Sequence, residues 1–228
     1  MMRGYDDMKK IMLVVTTVVL LAIFVYEGSL AFFHAQTDIS AKISAGNLGI
    51  ELVQDMDKEK ITKTENGFQI RSSMSGDEIK DRVYVENKRD HSLYTRVAVT
   101  KYWVNKDNEK MVDADASKIK LITEDTSKWI IIDDADNSNS EIVYFYYKLP
   151  LEKGGKTTNL VDAIKISHEI KNGEYADYRI HIAYDADAIQ SIAGAEAALS
   201  EWGVELSVDE EGSITSVVDE MQEGERLL

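Results

Sequence analysis

Leu93-Tyr94-Thr95-Arg96-Val97-Ala98-Val99-Thr100-Lys101-Tyr102-Trp103-Val104 is the stretch that decides the fold. Leu93, Thr95, Val97, Val99 and Trp103 recur at every second or fourth position, so they line one face of a long strand. The period is two, not 3.6, and β-branched and aromatic residues dominate. On one side of this strand lies the charged turn Asn87 to Asp90, and on the other the turn Lys106-Asp107-Asn108-Glu109.

The same alternation recurs outward in both directions. Toward the N-terminus, Val83 and Val85 alternate with Tyr84 and Glu86, and Leu48, Ile50 and Leu52 share a face within Gly46 to Leu52. The intervening polar stretch 54–66 reads as loop. Toward the C-terminus, Lys118 to Ile122, Lys128 to Ile132 and Glu141 to Leu149 read as strands. Ile164, Ile166, His168 and Ile170 share one face, and Tyr178, Ile180, Ile182 and Tyr184 share another, with the turn Lys171-Asn172-Gly173 between them. About eight short strands with regular turns predict a mainly β protein, a jelly-roll-like two-sheet β-sandwich.

From Asp187 to Trp202 the pattern changes. Ile189, Ile192, Leu199 and Trp202 recur at helical spacings with alanines between them, and Gly203 follows. This predicts one amphipathic helix with a glycine stop, lying as a lid over one end of the sandwich. The segment after Ser207 is expected to be a mobile tail, with a short helix around Ile214 to Met221.

Composition narrows the function. The 228 residues include one proline and no cysteine, and 41 acids against 26 bases give a net charge of −15. Without cysteine there is no disulfide, no thiol catalysis and no zinc–thiolate site. The acidic balance argues against nucleic acid and against anionic membrane surfaces, both of which need clustered Lys and Arg. From Glu205 onward eight acids face only Arg226, a net of −7.

The N-terminus reads as an export signal. Ile11 to Tyr26 is sixteen residues without a charge, preceded by Lys9 and Lys10. At ~1.5 Å per residue it spans roughly 24 Å, short of a ~30 Å hydrocarbon core. Ser29-Leu30-Ala31 supplies small residues at the first and third positions, so cleavage is expected between Ala31 and Phe32. The competing reading is an uncleaved membrane anchor. The domain plan is a signal peptide over 1–31, an extended segment over 32–45, a sandwich over 46–204 and an acidic tail over 205–228. Contact with the membrane is expected only through the signal segment, before cleavage.

Motifs for chemistry are sparse. His168-Glu169 is not followed by a second histidine at the HExxH spacing, and no GxSxG elbow or phosphate loop occurs. His168, among isoleucines, is expected in the core. His181, on the face opposite Ile180 and Ile182, is expected in solvent, as are His34 and His91. Asp133, Asp134, Asp136 and Ser138 resemble the start of a calcium loop, with Asp134, Asp136 and Ser138 at the first three alternating ligand positions. Asn139 stands where glycine belongs and Phe145 where the bidentate Glu belongs. A solvated hairpin is expected there. No cofactor is expected beyond this incomplete match to calcium, and no catalytic residue is assigned.

The chain also resembles a family, over roughly residues 9–204. Ala31-Phe32-Phe33, Thr37-Asp38 and Ala45-Gly46-Asn47-Leu48-Gly49-Ile50-Glu51-Leu52 are similar to the start of exported proteins processed by the SipW-type signal peptidase of Gram-positive bacteria. Ser75-Gly76-Asp77 before Val83-Tyr84-Val85-Glu86-Asn87 resembles the family's "PGD…v.vkN" element, with Ser75 in place of proline. Leu93 to Val97 resembles its "YvRv" strand, and Ala186 to Gln190 with Ala198 to Gly203 resembles its "AeAvQa…A…aWg" ending. The long charged stretch 54–66 and the acidic tail depart from the pattern.

The resemblance is to TasA- and camelysin-like biofilm matrix proteins. It implies a secreted jelly roll held at the cell surface or in the matrix, with the SipW-type signal peptidase as a partner; the missing catalytic motifs add the expectation that the chain is not an enzyme. It also implies self-association into fibres by donor-strand addition. Phe32, Phe33, Ile39 and Ile43 are the donor-strand candidates, exposed as a new N-terminal segment on cleavage. The alternatives are a monomeric surface module that binds calcium or wall polymer and, ranked last, a camelysin-like peptidase.

Overall fold

A computed structural model describes residues 43–44, 49–71, 75–133, 141–171, 175 and 177–219. The elements are β1 (Ile43–Ser44), β2 (Ile50–Met56), β3 (Ile61–Thr64), β4 (Gly67–Ile70), β5 (Glu78–Asn87), β6 (Leu93–Val104), β7 (Ile119–Ile122), β8 (Trp129–Asp133), β9 (Ile142–Tyr147), β10 (Val161–Ile166), β11 (Arg179–Gln190), α1 (Gly194–Trp202), β12 (Val204–Val208) and β13 (Ile214–Asp219). The signal segment and the Ala31–Phe32 junction lie outside the described residues. Among those described, no helix is long and apolar enough to cross a membrane.

The protein is mainly β, as the alternation predicts. One antiparallel sheet has the order β1-β2-β5-β10-β7, and the second has the order β3-β4-β11-β6-β9-β8. The chain crosses between them repeatedly, from β2 to β3, from β4 to β5, from β5 to β6 and from β10 to β11, in the manner of a Greek-key sandwich. The quoted strand, β6, pairs along all of its twelve residues with β11. Its predicted face is buried throughout: Leu93, Thr95, Val97, Val99 and Trp103 have almost no exposure. Ile50, Leu52, Val83, Val85, Ile164 and Ile166 of the first sheet meet Val99, Phe145, Ile180 and Ile182 of the second in one apolar core. Burying such side chains contributes roughly 1.5–3 kcal/mol each.

Lys101 sits on this buried face with 3 % exposure. It is tolerated because Nζ reaches past the core to donate to the Ala116 carbonyl at 2.9 Å. Burial pushes its amine below the usual lysine range. The predicted turns are built as their composition requires. Asn87 ends β5, donating to the carbonyls of His91 and Leu151 while its Oδ1 accepts from the Arg89 N–H. Asn105 Oδ1 accepts from the N–H groups of Asp107 and Glu109, and Asn108 takes φ +67°.

Four expectations need correction. The stretch 54–66 is not a loop: β2 runs to Met56, and Ile61–Thr64 pairs with Gly67–Ile70 as a hairpin. Its polar residues mark a strand at a sheet edge, where one face and one flank meet water. The predicted helix is half strand. Asp187 to Gln190 continue β11, because β6 offers a full-length partner, and α1 begins only at Gly194. Gly203 does end it, at φ +68° with its N–H on the carbonyls of Ala198 and Leu199.

Val204–Val208 and Ile214–Asp219 pair as the β12–β13 hairpin, where a short helix around Ile214 to Met221 was expected. Val204, Leu206 and Ile214 form a second apolar cluster with Trp202, Ala198, Ile189, Tyr94 and Tyr146. This cluster covers the outer face of the six-stranded sheet, so the helix and hairpin act together where the helix alone was expected as a lid. Arg96 crosses it, lying 5.1 Å from the Trp202 ring centroid and 5.5 Å from that of Tyr144, and its guanidinium donates to Asp187 Oδ2 at 2.7 Å. Residues 220–228 lie outside the described residues.

The histidines exchange places relative to expectation. His168 lies past the end of β10 in an exposed turn, packed beside Gly76, where φ is +88° and a Cβ would overlap the imidazole. His181 is buried at 6 % exposure, stacked on Tyr102 with ring centroids 4.6 Å apart. The turn before β4 and the Tyr102 ring cover that part of the outer face, and burial lowers the imidazole's affinity for a proton.

Candidate functional site

The predicted donor segment ends at the edge of the five-stranded sheet. Ile43 pairs with Leu52 and Ser44 with Glu51, antiparallel, so β1 caps only the first part of β2. Ile43 therefore pairs within its own chain. Phe32, Phe33 and Ile39 lie outside the described residues.

The rest of the β2 edge has a definite hydrogen-bonding character. Asp57 N–H donates to the Lys80 carbonyl and Lys88 N–H to the Gly49 carbonyl, both in the β2–β5 register. Odd-numbered residues of β2 thus bond to β5, and the alternation of antiparallel pairing turns the N–H and C=O groups of even-numbered residues outward. Leu52 meets β1. Gln54 and Met56 present their backbone groups beyond it, with no further strand beside them among the described residues.

Behind this edge sits an unusual buried group. Asp81, 1 % exposed, faces the core from β5. Gln54 Nε2 donates to its Oδ1 and the Tyr184 hydroxyl to its Oδ2, each at 2.6 Å. The two donors come from opposite sheets, so the carboxyl ties β5 to β11 and to β2. Burial raises its pKa to about 6, against the lowering effect of the two hydrogen bonds. The same burial, with the carboxylate beside it, holds the Tyr184 hydroxyl well above the ordinary tyrosine range. Gln54 Oε1 is buried without a hydrogen-bond donor among the described residues. The region places outward backbone hydrogen-bonding groups of β2 beside a buried carboxyl that already accepts two hydrogen bonds.

The calcium-like loop is only partly described. Asp133 is exposed at the end of β8, while Asp134, Asp136 and Ser138 lie outside the described residues. Among the described residues no cluster of three or more His, Asp or Glu side chains could hold a metal ion. Asp81 and its two donors went unrecognised at the level of sequence. The one local signal was an aspartate at an apolar position of an alternating strand, and Tyr184 lies 103 residues away.

No protein-family model, no curated protein and no solved structure matches this chain.

Proposed function

We propose that the chain is an exported structural subunit of a bacterial surface or matrix, which polymerises by laying its freed N-terminal segment along the β2 edge of the next copy. The observation that carries this reading is the β2 edge, capped by two residues of the very segment that cleavage would release, with no strand beside Gln54 and Met56 among the described residues. Continuing the Ile43–Leu52 register brings Ala41 opposite Gln54 and Ile39 opposite Met56. Strand addition to a sheet edge supplies backbone hydrogen bonds and side-chain pockets at alternate positions. Because the contact is head-to-tail and does not close, it builds filaments. The reading includes the SipW-type signal peptidase as processing partner, a location outside the cell, and no catalytic role.

The test is assembly of chain beginning at Phe32, followed by electron microscopy, against the same chain lacking residues 32–43. Fibres from the first and none from the second support the proposal. Fibres from both place the contact elsewhere.

A further inference from the structure

The strand that caps β2 belongs to a hairpin of sequence neighbours. Only five residues, 45–49, join Ser44 to Ile50, a connection length at which adjacent strands commonly pair. The hairpin is anchored where β2 begins: Gly49 takes φ +66°, and its carbonyl accepts from the Lys88 N–H at 2.7 Å. Ile43 and Ser44 sit opposite Leu52 and Glu51. β1 has two residues and β2 has seven, so this pairing covers two of the seven positions of the acceptor strand.

Residues 39–42 lie outside the described residues, and their sequence fits the remainder of that strand. Continuing the register sets Lys42 opposite Val53, Ala41 opposite Gln54, Ser40 opposite Asp55 and Ile39 opposite Met56. Antiparallel partners share a face of the sheet. Ile39 and Ala41 thus take positions on the face of Leu52, which is buried, and of Gln54, whose amide reaches Asp81 inside the sandwich. Ser40 and Lys42 take positions on the other face, where Asp55 is exposed. Lys42, the only Lys or Arg between Phe32 and Ser44, lies diagonal to both Glu51 and Asp55, and diagonal neighbours are within reach of long side chains. A slip of one residue would set Ile39 toward solvent and Lys42 toward the core.

We propose that, before assembly, each copy lays residues 39–44 along its own β2, so that the edge which later accepts a neighbour is guarded by the chain itself. The resident segment is favoured by effective concentration, because a five-residue connection tethers it, while a neighbour's segment arrives by diffusion. An edge covered in this way is also protected against indiscriminate pairing. The consequence rests on the proposed function: filament growth is an exchange, in which an incoming segment displaces the resident one, and the uncleaved chain does not pair with others through β2.

The chain has no native cysteine, so Ser40→Cys combined with Asp55→Cys introduces a single pair. Asp55 and its ion-pair partner Lys80 are both at the surface, so losing that pair costs little. Non-hydrogen-bonded antiparallel residues have Cα atoms about 4.5 Å apart, within the usual disulfide range of about 4.4–6.8 Å. The full, uncleaved chain is oxidised mildly in non-ionic detergent at low protein concentration. Ser40→Cys with Val112→Cys is the control, at a site 69 % exposed. Disulfide closure within one copy is expected to be on the order of tenfold faster for 40–55 than for 40–112, with circular dichroism confirming that both variants are folded. Equal or slower closure at 55, or a 40–55 disulfide formed only between copies, overturns the proposal. The fibre reading has a separate arm. Chains beginning at Phe32 that carry Ser40→Cys alone and Asp55→Cys alone are mixed and allowed to assemble. A disulfide between them supports that reading whatever the uncleaved chain does, and fibres without it count against that reading alone.

Discussion

The two edges at β2 and β8 differ in the side chains they present. β2 is polar along its open part, has a two-residue cap and is backed by the Asp81–Tyr184–Gln54 group. β8 is apolar over Trp129–Ile132, ends on the exposed Asp133 and has no strand on its far side among the described residues. The β2 edge is polar at Gln54 and Asp55 and the β8 edge is apolar over Trp129 to Ile132, so the two present different side chains on backbones that are alike. Under the proposed function it is the β2 edge that takes the incoming segment delivered after processing.

The largest expected effect is on assembly at β2. Met56→Pro removes an outward N–H at a position where an edge strand tolerates proline. Fibre yield of the chain beginning at Phe32 should fall to background while the folded state persists, as measured by electron microscopy and circular dichroism. Undiminished fibres would remove β2 as the acceptor.

The next effect concerns the charge behind that edge. Asp81 has a pKa raised to about 6 from an ordinary 3.8. Its contribution to stability is therefore fully present below pH 3.8 and lost as the pH rises through 6. This group should cost the fold on the order of 2–3 kcal/mol between acid and neutral pH. Asp81→Asn should abolish that loss, so that urea unfolding midpoints of the variant exceed those of the parent at neutral pH and converge with them near pH 4. A variant less stable than the parent at neutral pH would show that the carboxylate is better compensated than its burial implies.

Tyr184→Phe should be no larger and of opposite sign. It removes one of the two donors to the carboxylate and should destabilise by about 1.5–3 kcal/mol at neutral pH, read from the same unfolding curves. Smallest of all is Ile131→Lys, an exposed edge substitution expected to change monomer stability by no more than about 0.5 kcal/mol. A large loss would mean that Ile131 belongs to the core and not to an edge.

Much of the sandwich is legible in the residues themselves. Period-two alternation in β6, β9 and β11 is enforced by burial of one face, and Gly203 is demanded by a left-handed helix end. The failures share a cause. Asp187 to Gln190 have helical spacing, yet pairing with Leu93 to Arg96 overrides it. His168 and His181 were read from strand parity alone, which cannot register that β10 ends at Ile166 or that Tyr102 covers the outer face of β11. The β12–β13 hairpin is rich in acids, but Val204, Leu206 and Ile214 suffice to seat it. Which strands become edges depends on the order of the whole sheet, so the apolar faces of β2 and β8 are visible in their sequences and their open flanks are not.

The central claim is that processing frees a segment that polymerises along β2. Its most direct test is N-terminal sequencing of protein recovered from culture medium, combined with electron microscopy of the same sample. The account predicts a first residue of Phe32 and filaments that disappear when residues 32–43 are deleted. Protein retained in the membrane fraction with Ile11 to Tyr26 intact, or cleaved protein that stays monomeric, would contradict it.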